Sequence, residues 1–213
     1  YNKNKKIVAY DDLYYLRDIN IAEHWNEYWA DRESKGIQPT LKDLAHYIYE
    51  ALNIEHEEVS LVSDNMIIHK YNDFTSLTFG DFLRMVNEVQ CCFPHIDGLG
   101  VLRFVTLTTD GQYEVTNFEK IESDFDNFVT KDITGLNIYS SSSDLSQIYP
   151  IEGSGDNPYP IGGNIFLLSL SADELNDRCA IIYNAINHID YTPCKLKMIY
   201  SDLSYGLGDS IHT

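Results

Sequence analysis

The chain is poor in basic residues. It has 15 Lys plus Arg against 33 Asp plus Glu, which gives a formal net charge of -18 over 213 residues. No lysine or arginine occurs between Lys131 and Arg178. Because such a surface repels phosphate, we expect the protein to bind neither duplex DNA nor a membrane. Acidic residues are spread through the same stretch: Asp132, Asp144, Glu152, Asp156, Asp173, Glu174 and Asp177.

Cysteines and long apolar runs are also scarce. Four cysteines, two of them adjacent at Cys91 and Cys92, are too few and too irregular for a disulfide framework in a chain this long. Apolar runs such as 161–170 are too short to cross a bilayer, and nothing near Tyr1 resembles a signal peptide. We therefore expect a soluble protein that is cytoplasmic during its synthesis.

No catalytic or metal-binding motif is complete in the sequence. Cys91, Cys92 and His95 offer at most three zinc ligands, and no second pair stands at ligand spacing elsewhere. The other histidines, among them His46, have no cysteine or carboxylate partner at motif spacing. The Gly-Leu-Gly sequence at 98–100 precedes a strand signal, whereas a dinucleotide-binding loop follows a strand. We therefore expect no metal, no cofactor and no catalytic residues.

Helical signals occur at several points along the chain. Apolar residues recur at three- and four-residue steps from 13 to 35, and Gly36 follows, which predicts one amphipathic helix that ends there. Thr40 and Asp43 form a capping-box pattern that predicts a second helix to about residue 53. Further helices are predicted from Thr78, from 119 to 130, and from Ser171 with Glu174 as a full capping box.

Strand signals complete a mixed architecture. Alternating patterns predict two β-hairpins, one at 59–71 around Asp64-Asn65 and one at 101–118 around Asp110-Gly111. Single strands are predicted at 5–10, 164–170 and 195–200. This order argues for the α+β class, with a mixed, mainly antiparallel sheet, two β-hairpins, about five helices and one C-terminal strand-helix-strand unit. We expect a single domain over residues 1–213.

One helix opening resembles a known DNA-binding element. Residues 40–47, Thr-Leu-Lys-Asp-Leu-Ala-His-Tyr, resemble the first helix of bacterial helix-turn-helix repressors. Residues 48–52 continue the helix where that motif has a glycine-containing turn. Four glutamates, Glu50, Glu55, Glu57 and Glu58, then place acid where phosphate would lie, so we expect no DNA binding through this helix.

A long segment, 132–163, has few signals of regular structure. Loops beyond about 12–15 residues are usually functional or disordered. Apolar and aromatic residues are spaced through this polar segment, which is typical of a loop that orders on binding a partner. The predicted anchors are Tyr139, Leu145, Ile148, Tyr149, Ile151 and Tyr159. A basic cluster of Lys3, Lys5 and Lys6 is suited to docking on an acidic neighbour, including another copy of the chain.

These observations favour a non-enzymatic structural or interaction protein, one subunit of a homo-oligomer or hetero-assembly. The specific expectation is a virion component of a tailed phage, such as a connector or ring subunit, because an acidic lumen would repel passing DNA. An acidic inhibitor or immunity-type protein that mimics nucleic acid is the alternative. A second alternative is an enzyme whose site only the fold assembles. A deep pocket with two or more of His46, His69, His95 and Cys92 would favour it.

Overall fold

The computed structural model describes residues 12–106, 113–114, 120–125, 132–140, 146–150, 155–187, 194–198 and 211–212. The chain divides into two compact units, 1–104 and 105–213. Helices occur together with antiparallel and parallel strand pairs, so the predicted α+β class is confirmed. The assignment of a single domain stays a prediction. Two compact units can belong to one domain or form two separate domains.

The first unit is mainly helical, and three of its helix ends follow from the sequence. Thr40 and Asp43 form the predicted capping box, and the Thr78 side chain accepts a hydrogen bond from the Asp81 amide. Gly36 ends a helix in the left-handed region at φ 63°. The elements are α1 (Leu13–Leu16), α2 (Ala22–Lys35), α3 (Leu41–Ala51), α4 (Phe79–Gln90), β1 (Phe93–Ile96) and β2 (Leu102–Val105).

The single helix predicted from 13 to 35 is wrong, because the chain leaves the helix between α1 and α2. There the backbone bonds to a distant segment: the Ile21 amide donates to the Leu77 carbonyl at 2.7 Å, and the Phe79 amide donates to the Ile19 carbonyl at 2.8 Å. The Asn20 side chain accepts from the amides of Ala22 and Leu77. Tertiary bonding at this point overrides a continuous amphipathic stripe.

The core of the first unit lies between α2, α3 and α4. Full burial of a large apolar side chain contributes about 1.5–3 kcal/mol. The side chains that are completely buried include Trp25, Leu41, Leu44, Ile48, Phe79, Phe82 and Val89.

The hairpin predicted at 59–71 is wrong. Residues 62–65 do form a turn, but no strand flanks it. Instead Ser63 and Asp64 are buried, and polar side chains tie this segment to the end of α4. A buried side-chain network therefore replaces the expected strand ladder.

The second predicted hairpin also has a different partner. β2 pairs with β1, which precedes it, through a turn in which the Asp97 carboxylate accepts from the amides of Leu99 and Val101. The predicted turn at 110–111 lies outside the described residues, as does the strand predicted at 5–10. Within the second strand predicted for this hairpin, residues 113–114 are described. They pair with a strand near the C-terminal end of the sequence.

The described residues of the second unit form several small sheets and two helices. The elements are β3 (Tyr113–Glu114), β4 (Lys120–Phe125), β5 (Gly135–Tyr139), β6 (Ser146–Tyr149), β7 (Pro158–Gly162), α5 (Ile165–Leu168), α6 (Ala172–Ile186), β8 (Cys194–Met198) and β9 (Ile211–His212). β3 and β9 pair in parallel, β4 and β8 pair antiparallel, and β5 is the central strand of a three-stranded sheet of order β6-β5-β7.

Three predictions in this unit are wrong. The helix predicted at 119–130 contains strand β4, whose partner β8 lies about 70 residues later, and the predicted loop 132–163 contains β5, β6 and β7. The strand predicted at 164–170 contains helix α5, which the Asn164 side chain caps by accepting from the amides of Phe166 and Leu167. A short buried apolar run fits either structure, and the cap decides here for the helix.

Two predictions near the C-terminal end of the sequence are confirmed. Ser171 and Glu174 form the capping box of α6, and the strand predicted at 195–200 corresponds to β8. Because the first strand of the predicted strand-helix-strand unit is a helix, only its second and third elements are present. Among the described helices, none combines the length and the apolar character that crossing a bilayer requires.

Candidate functional site

The three-stranded sheet of the second unit has one covered face. Leu136 and Ile138 of β5 and Ile161 of β7 alternate onto it, and all three are buried. Helices α5 and α6 pack there: Leu167 and Leu175 line a cavity together with Ile138 and Gln147. The Tyr149 and Tyr183 rings also meet on this side, with centroids 6.0 Å apart.

The opposite face of this sheet presents apolar side chains to solvent. Tyr139 of β5 and Ile148 of β6 alternate onto it and are 39% and 43% exposed. Pro160 of β7 lies on the same face and is also exposed. We call the exposed residues Tyr139, Ile148 and Pro160 the open face.

A glycine leaves room for the Tyr139 ring. Tyr139 is paired with Gly162 in the register of β5 and β7. A Cβ atom at Gly162 would lie 2.7 Å from the Tyr139 Cε2 and Cζ atoms. The ring therefore lies directly over the glycine, and any larger residue at this position would displace it.

The predicted anchors fall into three groups. Tyr139 and Ile148 lie together on the open face. By register Tyr159 points to the covered face from the outer strand β7 and is 45% exposed, while Tyr149 is half-buried against α6. The remaining predicted residues, Leu145, Ile151, Lys3, Lys5 and Lys6, lie outside the side chains that the structure describes.

The described surface of the second unit is acidic. Within the described part of this unit, five acidic residues are exposed, and Arg178 is the one basic residue whose side chain is described. Three of the five belong to α6, which packs on the covered face, and the other two lie shortly before β5 and β7. The exposed acidic residues are Asp132, Asp156, Asp173, Glu174 and Asp177.

A second cluster lies in the first unit, where α3 meets the segment after it. The Nδ1 atom of His46 is 3.7 Å from a Glu58 carboxylate oxygen, and the Nε2 atom of His56 is 3.8 Å from the same oxygen. The two imidazole centroids are 4.6 Å apart. Within the described residues, this His–Glu cluster is the one group whose side chains converge closely enough to share a metal ion.

Strand β2 holds the segment that carries two of these side chains. The Leu102 amide donates to the Glu55 carbonyl at 2.8 Å, and the Glu57 amide donates to the Leu102 carbonyl at 3.0 Å. The Glu57 carboxylate also accepts from the Phe104 amide and pairs with Arg103 at 3.4 Å. His56 and Glu58 therefore lie on either side of Glu57, whose backbone and side chain both bond to β2.

The surroundings of the cluster favour a neutral His46. Burial lowers the pKa of this imidazole and outweighs the opposite effect of Glu58, while His56 and Lys42 lower the pKa further. The 3.7 Å approach to Glu58 would be an ion pair only if His46 were protonated. We therefore regard the neutral imidazole as the relevant form near pH 7, with a free lone pair on one ring nitrogen.

Two buried polar atoms beside the cluster have no hydrogen-bond partner among the described residues. They are the Nε2 atom of His56 and the hydroxyl of Tyr49. The Tyr49 ring is buried and lies 5.1 Å from the His56 ring, and burial raises the pKa of its hydroxyl far above the ordinary value. Buried polar atoms without partners are uncommon and call for an explanation.

The His–Glu cluster was not predicted from the sequence, because the histidines are scattered along the chain. His46 lies on α3, while His56 and Glu58 follow the helix, so helical spacing does not bring them together. The useful signal was the alternation of His56 and Glu58 around Glu57, which places two ligand types on one side of an extended segment.

The cysteine cluster that the sequence suggested has another arrangement. The Cys92 thiol donates to the Asn87 side-chain oxygen at 2.9 Å, and burial raises the pKa of this thiol to about 12. Cys91 ends α4 in the left-handed region at φ 54°. A protonated, buried thiol is a poor metal ligand.

Comparison with known proteins gives no family for this chain. No family model, no curated protein and no solved structure matches it. Function must therefore be argued from the two sites alone.

Proposed function

We propose that the protein is a non-enzymatic structural subunit that associates with further copies of itself through the open face. The observation that carries this proposal is the pair Tyr139 and Ile148, two large apolar side chains that are exposed at diagonal positions on one face of neighbouring strands. Apolar and aromatic anchors of this kind dominate the energy of protein interfaces.

Charge complementarity favours a second copy as the occupant. The stretch from 132 to 177 carries acid without a single lysine or arginine, whereas Lys3, Lys5 and Lys6 form a basic cluster in the same sequence. The acidic surface of the second unit in one copy would attract that cluster in the next. Repulsion between the net charges is weakened at physiological salt, where the Debye length is about 8 Å.

Sedimentation velocity tests this proposal. The wild-type chain should form species larger than a monomer between ~1 and ~100 µM, the range in which small interfaces associate. Ile148→Asn should raise the dissociation constant about tenfold, because loss of a buried anchor costs more than 1 kcal/mol. A wild-type chain that stays monomeric over this range contradicts the proposal.

A matched control separates the open face from general surface effects. Ile67 in the first unit is 40% exposed, close to the value for Ile148, so Ile67→Asn makes the same chemical change elsewhere. This variant should associate as the wild type does. Equal weakening by both substitutions would mean that the open face is not the interface.

Two further variants test its parts. Gly162→Ala should displace the Tyr139 ring and weaken association without a large loss of stability, because the atoms it meets are the mobile end of a side chain. Replacing Lys3, Lys5 and Lys6 by Gln should weaken association at ~50 mM salt and have less effect at ~500 mM, where charges are screened.

A second candidate function is inhibition of a basic partner by an acidic protein that mimics nucleic acid. The net charge of -18 favours it. Such a protein would be a monomer or dimer at every concentration, and its binding to the partner would weaken steeply with salt. In sedimentation velocity, species larger than a dimer favour the first function, whereas a dimer fits both and leaves the salt dependence of partner binding to distinguish them. The tailed-phage connector or ring subunit remains a finer prediction within the first.

The cavities give little support to an enzyme. The cavity that contains His46 has a volume of about 20 Å³, room for roughly one water molecule. A larger cavity of about 330 Å³ contains His69. The described lining of neither cavity contains two of the four residues His46, His69, His95 and Cys92.

A further inference from the structure

We propose that His46, His56 and Glu58 form a binding site for a divalent first-row transition metal, with Zn²⁺ as the ion that fits best. The site lies in the first unit and does not depend on the association proposed for the second. It departs from the expectation, drawn from sequence alone, that the chain contains no metal ligand set.

The distances suit zinc. Nitrogen and oxygen ligands lie about 2.0–2.2 Å from Zn²⁺, so neighbouring ligands of a tetrahedral site are about 3.4 Å apart. The His46 and His56 nitrogens lie 3.7 and 3.8 Å from the Glu58 oxygen. All three ligand atoms lie within 4.8 Å of one another. Closing the remaining gaps requires small rotations of these side chains.

The hydrogen bonding of His56 leaves a lone pair that faces Glu58. Its Nδ1 atom is 3.3 Å from the Ile54 carbonyl oxygen, which can only accept, so Nδ1 carries the proton. In the neutral ring, Nε2 then has a lone pair and no hydrogen-bond partner among the described residues, and it lies near a carboxylate oxygen of Glu58. Two acceptors opposite each other are unfavourable, and a cation between them removes the conflict.

The same contact is the usual support for a metal-bound histidine. Ligating histidines commonly donate their other ring N–H to a backbone carbonyl, which fixes the ring orientation and the tautomer. Ile54 supplies this carbonyl, and the hydrogen bonds of Glu55 and Glu57 to Leu102 fix the segment on both sides of His56. The site is therefore held in place by backbone structure.

The ligand types select the metal. Imidazole nitrogens with a single carboxylate suit Zn²⁺ and its first-row neighbours, whereas Ca²⁺ and Mg²⁺ take oxygen ligands almost exclusively. Three protein ligands leave a fourth zinc position for water. The buried ring of Tyr49 beside His56 limits solvent on one side of the site.

One neighbouring cation opposes metal binding. The Lys42 ammonium lies 3.8 Å from the second Glu58 oxygen and 3.8 Å from an Asp64 oxygen. Its positive charge competes for Glu58 and repels an incoming ion. Removing this charge with Lys42→Gln should therefore strengthen zinc binding, a direction that a merely structural role for the cluster does not predict.

The experiment is a calorimetric titration of the chelator-treated chain, residues 1–213, with ZnCl2. The wild type should bind one Zn²⁺ per chain. Loss of an outer-shell partner typically weakens a metal site 10–100-fold, so Glu58→Gln and His46→Ala, which remove ligands, should weaken binding by about 100-fold or more. Lys42→Gln should bind more tightly than the wild type.

Two controls locate the ion. His95→Ala removes the histidine beside the cysteine pair and should leave zinc affinity unchanged. Co²⁺ in place of Zn²⁺ should give visible absorption bands of a four-coordinate nitrogen and oxygen site, without the near-ultraviolet charge-transfer band of a thiolate ligand. Because Glu58 is exposed, its substitution by Gln should leave the chain folded, and thermal melting of each zinc-free variant checks this.

The following results would overturn the proposal: no heat of binding in the wild type, unchanged affinity in both Glu58→Gln and His46→Ala, or weaker binding in Lys42→Gln. Loss of binding in His95→Ala, or a thiolate band with Co²⁺, would assign the ion to the cysteine pair and would equally contradict it.

Discussion

Gln90→Glu tests the buried network that replaces the expected hairpin. The Gln90 side-chain oxygen accepts from the Ser63 amide at 2.7 Å, and its nitrogen donates to an Asp64 carboxylate oxygen at 3.0 Å. All three residues are buried. Glutamate has the same shape, but it brings a second carboxylate oxygen to the position of the donor, so it must take up a proton or repel Asp64.

The size of the effect follows from the cost of that proton. Protonating a glutamate of ordinary pKa 4.3 at pH 7 costs about 3.7 kcal/mol, at about 1.4 kcal/mol per pH unit. Keeping the introduced carboxylate ionised would cost more. The hydrogen bond to the charged Asp64 side chain, a type that contributes about 1.5–3 kcal/mol, would be lost, and the two carboxylates would also repel each other. We therefore expect a free energy of unfolding about 3–4 kcal/mol below that of the wild type at pH 7.

The pH dependence has a definite sign. The folded state raises the pKa of the introduced carboxyl group above its unfolded value. The loss in the free energy of unfolding, relative to the wild type, should therefore be small below about pH 4.3 and should grow as pH rises. Urea denaturation at acid and neutral pH, followed by tryptophan fluorescence, measures it, since Trp25 and Trp29 both lie in the first unit.

Gln38→Glu is the control, because Gln38 is exposed and the added charge is the same. It should change stability little at either pH. If Gln90→Glu shows no larger deficit than this control at neutral pH, or a deficit that does not shrink in acid, the network does not hold the segment as described.

Three further predictions concern the second unit and the charge. Ser171→Ala should lower stability by about 1 kcal/mol through loss of the α6 capping box, measured by urea denaturation followed by circular dichroism. Gly155→Ala should cost more than Gly163→Ala in the same assay: both glycines have positive φ, but only at Gly155 would the new Cβ meet Thr134, at 2.7 Å. Duplex DNA should not shift in a gel titration at ~50 mM salt, and a shift that grows as salt falls would reveal a basic surface.

The parts of the fold that sequence could predict are those set by local chemistry. The capping boxes at Thr40 and Ser171, the Thr78 cap and the glycine at 36 each depend on side-chain or backbone properties within one turn. These signals need no knowledge of distant residues, and the helix ends they predict are confirmed.

The parts that failed depend on partners far away in the sequence. The sequence predicts a helix where strand β4 lies, because no local signal indicates that this segment pairs with β8. The break between α1 and α2 depends on two hydrogen bonds: the Ile21 amide donates to the Leu77 carbonyl, and the Ile19 carbonyl accepts from the Phe79 amide. Tertiary context decides such cases against local propensity.

The candidate sites show the same contrast between local signals and contacts with distant residues. Tyr139 and Ile148 could be named from their spacing in a polar segment, but their common face required the register of β5 and β6. The alternation of His56 and Glu58 can be seen in the sequence, but their approach to His46 depends on how β2 holds the segment after α3.

The most direct test of the proposed self-association places a photo-crosslinking benzophenone amino acid at Tyr139 in the purified chain. Tyr71, also a tyrosine with 39% exposure, is the matched control position in the first unit. Association through the open face predicts covalent dimers and larger products from position 139 and almost none from position 71. The absence of covalent dimers from position 139, or equal yields from both positions, would contradict it.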